Sequence, residues 1–257
     1  MARFVNCHLT AFDHLLQQRI ADYKHIVGSL LFPPVSSAEP SKTSSTLYET
    51  SHLFLLGDLN FRVVLPKTHP VYVKQKTPEF SREIDSDKSR EELKEFDQLT
   101  IEKRKGNIFI GLREGDFWKF KCSYKYQLGE VDKYRCISYF WVALICCKLI
   151  YFFLFFFYST KRVPSWTDRV LYATHSDSSD TPDKTNITNL LYTSIPSYTT
   201  SDHVRYEDQY IFSFVIIDMG GIFLLETYRL FITLTSYPTS TGCCCSKVTH
   251  NSTSEQL

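Results

Sequence analysis

The chain has 257 residues, enough for one hydrophobic core or two small ones. Its formal net charge is +1, so composition by itself points to neither a nucleic-acid nor a membrane-surface partner. The eight cysteines show no metal-site spacing and no secreted disulfide pattern, and Met1-Ala2-Arg3 leads straight into strand-like sequence, so a reducing, cytoplasmic setting is expected.

Phe4-Val5 reads as the end of a buried strand. Leu16, Ile20, Tyr23 and Val27 recur at helical spacing and predict a helix over residues 10–31, with Thr10 and Asp13 capping its start. Residues 33–47, with Pro33-Pro34 and many Ser and Thr, read as a loop. Leu53 to Leu56 is a short apolar run stopped by Gly57, the pattern of a buried strand ending at a site. Ser89 with Glu92 makes a capping box ahead of Leu93, Phe96 and Leu99, and that helix stops near Gly106. Residues 108–110 and 170–172 read as further strands. Strands and helices mix without a repeat, so the expected class is α/β. Two stretches break the pattern. Residues 137–158 are almost wholly apolar and aromatic, interrupted by Lys148, and residues 204–234 are a second apolar-rich region followed by a polar tail.

Several short polar motifs carry the chemistry. In Gly57-Asp58-Leu59-Asn60, two polar side chains stand two positions apart, on one side of an extended backbone. A carboxylate such as Asp58 can orient and deprotonate a water, and an amide such as Asn60 can hold a phosphoryl oxygen. By themselves these four residues read as a Gly-Asp turn with Asn in a left-handed conformation. Arg62 and the other motifs tip them toward a site. Asp202-His203 supplies a carboxylate and an imidazole able to donate to a phosphate, though in isolation Ser-Asp-His is a solvated turn. In Pro164 to Arg169, Asp168 and Arg169 form a charged pair beside Trp166. A core-filling Trp with a buttressed loop and a functional loop are compatible readings there. Asn6 and His8 alternate on a strand, so both can face one cleft. Tyr124-Lys125-Tyr126 reads as an amphipathic edge strand that carries one ammonium and two hydroxyl donors. Lys161 and Arg162 can add positive charge to the same pocket.

The ordered set Asn6-Cys7-His8-Leu9, Phe54 to Arg62, Arg162 to Tyr172 and Thr200-Ser201-Asp202-His203 resembles the signature of the inositol polyphosphate 5-phosphatases, in the DNase I-like endonuclease/exonuclease/phosphatase superfamily. The resemblance covers residues 3–203, less the apolar run. It implies a DNase I-like two-sheet sandwich flanked by helices (α/β/β/α), incomplete at its N-terminus. It also implies removal of the 5-phosphate from phosphoinositides or soluble inositol phosphates, with Mg2+ as cofactor. Asn6, His8, Asp58, Asn60, Asp202 and His203 are then the catalytic set. Tyr124 and Lys125 grip the neighbouring 4-phosphate, and Lys161, Arg162, Asp168 and Arg169 complete the substrate-binding cleft. The family's metal-binding glutamate is expected upstream of Met1, Leu55 stands where the family has Trp, and Val204-Arg205 replaces the usual Lys-Pro. The implied partner is an inositol phosphate or lipid headgroup at the cytosolic face of a membrane. Nucleic acid is not implied, and no residue pattern assigns an oligomeric state. A nuclease of the same superfamily is one rival reading. A non-enzymatic membrane protein anchored by residues 137–158 is another, and a chain left inactive by the missing metal glutamate is a third.

Residues 1–135 and 160–203 are thus expected to form a partial catalytic domain, with 136–159 an apolar insertion and 204–257 an atypical tail. Residues 137–158 are long enough to cross a bilayer, for which about 20 apolar residues suffice. A span there would separate Tyr124 from Pro164 and put Lys148 near mid-membrane at about 2.5–3.5 kcal/mol. Translated intron sequence is the expected origin instead. The run Phe152-Phe153-Leu154-Phe155-Phe156-Phe157 is what a pyrimidine tract encodes, Arg135-Cys136 can contain a splice donor, and Tyr158-Ser159 an acceptor. Val204-Arg205 can likewise be a donor. Sequencing of the spliced message is expected to join Tyr134 through a Ser codon to Thr160. Transcripts that retain both segments contradict this origin.

Overall fold

The computed structural model describes residues 2–33, 44–74, 84, 86–131, 134, 145–146, 149–150, 163–174, 187–195, 197, 201–203, 205–217, 223–234 and 247–250. Its main elements, in chain order, are β1 (Ala2–His8), α1 (Leu16–Ser29), β2 (His52–Asp58), α2 (Asp87–Leu93), α3 (Gln98–Arg104), β3 (Arg113–Glu114), β4 (Asp168–Thr174), β5 (Thr188–Ile195), β6 (Arg205–Ile217), β7 (Phe223–Leu234) and β8 (Lys247–His250). One four-stranded sheet has the order β1-β2-β4-β3 and a second the order β8-β7-β6-β5. In the first, β1 and β2 are parallel, while β4 runs antiparallel to β2 and β3. The second sheet is antiparallel throughout. This agrees with the α/β expectation.

All seven residues of β2 are buried, which follows from cover on both of its faces. Leu53 and Leu55 join Val5, Cys7, Ile20, Tyr23, Leu99 and Phe109 in a core under α1 and α3. Phe54 and Leu56, one residue out of phase, join Trp166, Val170, Tyr172, Phe117 and Phe120 on the other side. Tyr192 of β5 packs against that second core, stacking edge-on to Phe120 at 4.9 Å and accepting from the Val170 amide at 3.2 Å. Trp166 is fully buried and its indole nitrogen donates to the Phe120 carbonyl at 3.1 Å. Removing about 150–250 Å² of such a side chain from water contributes roughly 4–6 kcal/mol. Close to the end of β2, the backbone approach is too tight for any side chain. A Cβ on Gly57, at φ +124°, would lie 2.1 Å from the Cys7 carbonyl oxygen.

Four local expectations change. The first helix begins at Leu16, because Phe12 (φ 71°) and a 3-10 turn at Asp13–Leu15 intervene; Thr10 caps nothing and instead donates to Asp22 from its amide and hydroxyl. The cap of α2 is Ser86, whose hydroxyl accepts from the Ser89 amide, so Ser89 with Glu92 is not a capping box. The chain then breaks at Lys94–Phe96, and Asp97 caps a separate α3 by accepting from the Thr100 amide at 2.9 Å. Residues 108–110 are no strand: Ile108 and Phe109 are buried in a bend, Phe109 at φ 52°, and fill the core beneath α1.

Residues 137–158 lie outside the described residues, apart from the short antiparallel strands Ile145–Cys146 and Leu149–Ile150. Lys161 and Arg162 also lie outside them. Among the described residues, no helix is long and apolar enough to cross a membrane. Beyond His203, β6 pairs with β5 on one side and β7 on the other.

Candidate active site

Strand register builds the site. His8, the last residue of β1, stands opposite Asp58, the last residue of β2, and Asp58 stands opposite Asp168, the first residue of β4. Alternation then puts the three side chains on the face that carries Phe54 and Leu56. His8 Nε2 lies 3.5 Å from Asp58 Oδ2. The chain leaving β2 is tied to the segment entering β4, as the Leu59 and Asn60 amides donate to the Thr167 carbonyl at 2.8 and 3.2 Å. The Asn60 amide hydrogen is shared with Asp58 Oδ1 at 3.1 Å, and Asn60 Nδ2 donates to the Leu9 carbonyl at 2.9 Å.

His203 completes the cluster. Its Nδ1 is 2.8 Å from Asp168 Oδ2, and its Nε2 faces Asp58 Oδ2 at 3.9 Å. Thr167 Oγ1 also donates to Asp168 Oδ2, at 2.9 Å. The Ser123 hydroxyl accepts from the Thr167 and Asp168 amides at 2.9 and 3.2 Å. Next door, Tyr124 bridges by its backbone to both Ser165 and His203, and its ring lies 4.6 Å from the imidazole. The Tyr126 amide donates to the Asp202 carbonyl at 2.9 Å, and Lys125 Nζ pairs with Asp202 Oδ2 at 2.8 Å.

The electrostatics follow from this packing. Burial first, then the neighbouring Asp168 charge, pushes the Asp58 carboxyl up to about 6, against the opposing pull of His203, His8 and Arg62. Burial pushes the His203 imidazole down, but the charge and hydrogen bond of Asp168, with Asp58 and Asp202, together outweigh it and raise it to about 9. Burial raises Asp168, yet the His203 charge and the hydrogen bonds from His203, Ser123 and Thr167 hold it below the usual carboxylate range. His203 is therefore an imidazolium at neutral pH, with Nδ1–H on Asp168 and Nε2–H turned toward Asp58. Asp58, Asp168 and His203 offer ligand atoms within 4.8 Å of one another. His203 Nδ1 and Asp168 are committed to each other, so Asp58 is the member open to a cation. Two adjacent buried carboxylates concentrate negative charge, and Asp58 offers one oxygen ligand of the kind a hard divalent cation takes.

Of the residues singled out in the sequence, His8, Asp58, Asn60, Asp168, Asp202, His203, Tyr124 and Lys125 gather here. Asn6 sits two residues back along β1, exposed and opposite Leu56. Asp168, expected on the substrate, has its carboxylate on His203 instead. Arg169, also expected on the substrate, is turned to the opposite side of the sheet. There its side chain is fully buried, holding both Glu114 oxygens at 2.5 and 2.7 Å and Asp97 at 3.1 Å. Adjacent strand residues point to opposite faces, so Arg169 is turned away from the cluster while Asp168 stays on its face. Ser123, Thr167 and Glu114 were not anticipated, and only Thr167, inside the Trp166–Asp168 motif, carried a sequence signal.

Comparison with known proteins gives the family. The model of endonuclease/exonuclease/phosphatase family 2 matches residues 2–205. The phosphatidylinositol polyphosphate 5-phosphatase type IV of Mus musculus is 30% identical over 204 residues, covering 78% of this chain and 26% of that protein. The type IV inositol polyphosphate 5-phosphatase 11 of Arabidopsis thaliana is 30% identical over 172 residues, covering 66% of this chain and 37% of that one. The chain thus spans between a quarter and two fifths of these relatives' length. Among solved structures, the inositol polyphosphate 5-phosphatase domain of SPsynaptojanin, in complex with inositol (1,4)-bisphosphate and calcium ion, shares the fold. The TM-score is 0.52 at 23% identity, covering 79% of this chain and 44% of that one. The chain belongs to endonuclease/exonuclease/phosphatase family 2, and its relatives include inositol polyphosphate 5-phosphatases.

The imidazolium has a measurable consequence. His203 is raised above its ordinary value of 6.5, so its contribution to stability is fully present below about 6.5 and is lost as pH rises through about 9. NMR titration of the metal-free protein is expected to place the His203 midpoint near 9, and Asp168→Asn is expected to move it downward. An unchanged midpoint in the variant contradicts the pairing.

Proposed function

We propose that this chain carries the reaction centre of a phosphatase that removes the 5-phosphate of phosphoinositides or soluble inositol polyphosphates by metal-assisted attack of water. One geometric fact supports this above the rest: Asp58 stands between His8 and the Asp168–His203 pair, the Asn60 amide donates to Asp58, and Tyr124 is bridged to His203. The names of the Mus musculus and Arabidopsis thaliana relatives, and the inositol (1,4)-bisphosphate in the SPsynaptojanin structure, point to the same substrate class.

In this reading Asp58 orients the attacking water and accepts its proton. The second Asn60 Nδ2 hydrogen, left over from the bond to Leu9, is given to a phosphoryl oxygen. The His203 Nε2–H donates to another as charge builds on the way to the transition state, and Asp168 keeps that proton in place. His8 lines the same row. Lys125 and the Tyr124 hydroxyl take the neighbouring ring phosphate, with Lys161 and Arg162 adding positive charge; Asp202 holds the ammonium until the substrate arrives. One P–O bond forms to water and the ester bond breaks; the proton that Asp58 took from the water returns through solvent to the leaving ring oxygen, giving inorganic phosphate and the ring hydroxyl. A divalent cation, magnesium by the family resemblance, would be held by Asp58 with Asp168 beside it and would supply positive charge against the phosphoryl oxygens. The protein would then act at the cytosolic face of a membrane or on a soluble headgroup, and not on nucleic acid.

Phosphate release from phosphatidylinositol 4,5-bisphosphate vesicles and from inositol 1,4,5-trisphosphate, set beside nicking of abasic DNA, tests the substrate class. Asp58→Asn is expected to lower kcat on the inositol substrate by about 10²–10⁴-fold, and a chelator is expected to stop release. DNA nicking without phosphate release, or full activity in Asp58→Asn, contradicts the reading.

A further inference from the structure

Arg62 lies two residues beyond Asn60 yet folds back onto it. Its Nε donates to the Asn60 carbonyl at 3.1 Å, and Nη2 donates to Asn60 Oδ1. A guanidinium only donates, so the amide atom facing it must be oxygen. The amide nitrogen is thereby turned the other way, where one hydrogen goes to the Leu9 carbonyl and the second remains available. The Asn60 backbone is pinned as well, at φ 58°, by Thr167 and Asp58. The same flat group stacks on the Tyr124 ring at 4.5 Å. Tyr124 in turn is bridged to Ser165 and His203. A single side chain therefore touches both the end of β2 and the segment beside the imidazole.

Arg62 is poorly arranged for stability. It is 5% exposed, and its Nη1 is buried with no hydrogen-bond partner among the described residues. Arg19, a second buried guanidinium, feels its positive charge. A buried cation with an unmade hydrogen bond stabilises a fold less than an apolar group of the same size, so its retention calls for another explanation.

We propose that Arg62 is a positioning residue for the reaction. Its fork fixes which way the Asn60 amide faces, and its plane sets the spacing between that amide and the Tyr124–Lys125 phosphate grip. The inference rests on the phosphatase reading given above. Lysine keeps the charge but has neither the fork nor the flat face, so it leaves the amide free to turn. Misplacing a reacting-group contact by about 1 Å lowers rates by about 10²-fold.

The full chain is compared with Arg62→Lys, Arg62→Gln, Asn60→Ala and the Arg62→Lys/Asn60→Ala double variant. The Lys and Gln variants are expected to lower kcat on a short-chain phosphatidylinositol 4,5-bisphosphate by about 10²-fold. Adding Asn60→Ala to Arg62→Lys is expected to change little more, because both remove the same oriented amide. A purely structural Arg62 gives losses that multiply. A second readout needs no turnover. The Asn60 side-chain amide resonances, identified by their loss in Asn60→Ala, are expected to be resolved and slow to exchange in the parent, and to collapse toward the solvent-exposed average in both Arg62 variants. If the parent releases no phosphate yet the amide collapses in the variants, the phosphatase reading falls, and with it the role in that reaction, while the orienting of the Asn60 amide by Arg62 stands. If the parent is active while Arg62→Lys and Arg62→Gln keep kcat and the amide signals, the positioning role is overturned.

Discussion

Three strands of one sheet stop in the same row, and everything polar in the site depends on that register. His8, Asp58 and Asp168 are paired across β1, β2 and β4, so a one-residue slip in any of them would turn its side chain to the other face of the sheet. The register is held by apolar burial on both sides of β2 and by a glycine at its penultimate position, where a Cβ would strike the backbone of β1. Packing thus sets the distance between two carboxylates that would otherwise repel, and the repulsion gives the cluster its affinity for positive charge, whether from an imidazolium or a cation.

Asp168 and Arg169 show how one motif serves two faces. Being neighbours on a strand, they point in opposite directions. Asp168 meets His203 on the site face. Arg169 passes through to the helix side, where it meets the half-buried Glu114 on β3 and the buried Asp97 at the cap of α3. Breaking such a buried pair by removing one partner typically costs about 3–5 kcal/mol, because the other charge is left uncompensated. The loop that carries Trp166 and Thr167 is therefore clamped from below by Arg169 while it presents Asp168 above. Ser123 fastens the same loop from a third element by accepting two of its amides.

The parts of this that could be read in the sequence are those written in adjacent residues. Asp58 and Asn60, or Asp202 and His203, carry their chemistry within two or three positions, and the short apolar runs before Gly57 and after Asp168 mark strands. The parts that could not be read depend on partners far along the chain. Nothing local distinguishes Arg169 as a buried clamp, since Glu114 lies 55 residues away and Asp97 72. The helical period across Leu93, Phe96 and Leu99 looks continuous. It breaks because Asp97 is needed both as a cap and as a partner for Arg169. Residues 108–110 have strand composition but lie in a bend, since filling the space under α1 needs their volume and not their backbone hydrogen bonds. Ser123 is one serine among many until its neighbours in space are known.

The position of phosphorus in a crystal of the full chain soaked with inorganic phosphate tests the central claim most directly. Phosphate is expected beside Asp58 and Tyr124, with oxygens about 2.7–3.2 Å from His203 Nε2 and Asn60 Nδ2. Phosphate bound elsewhere, for example in the cleft of Thr100, Lys103 and Trp118, and none beside Asp58, would contradict this.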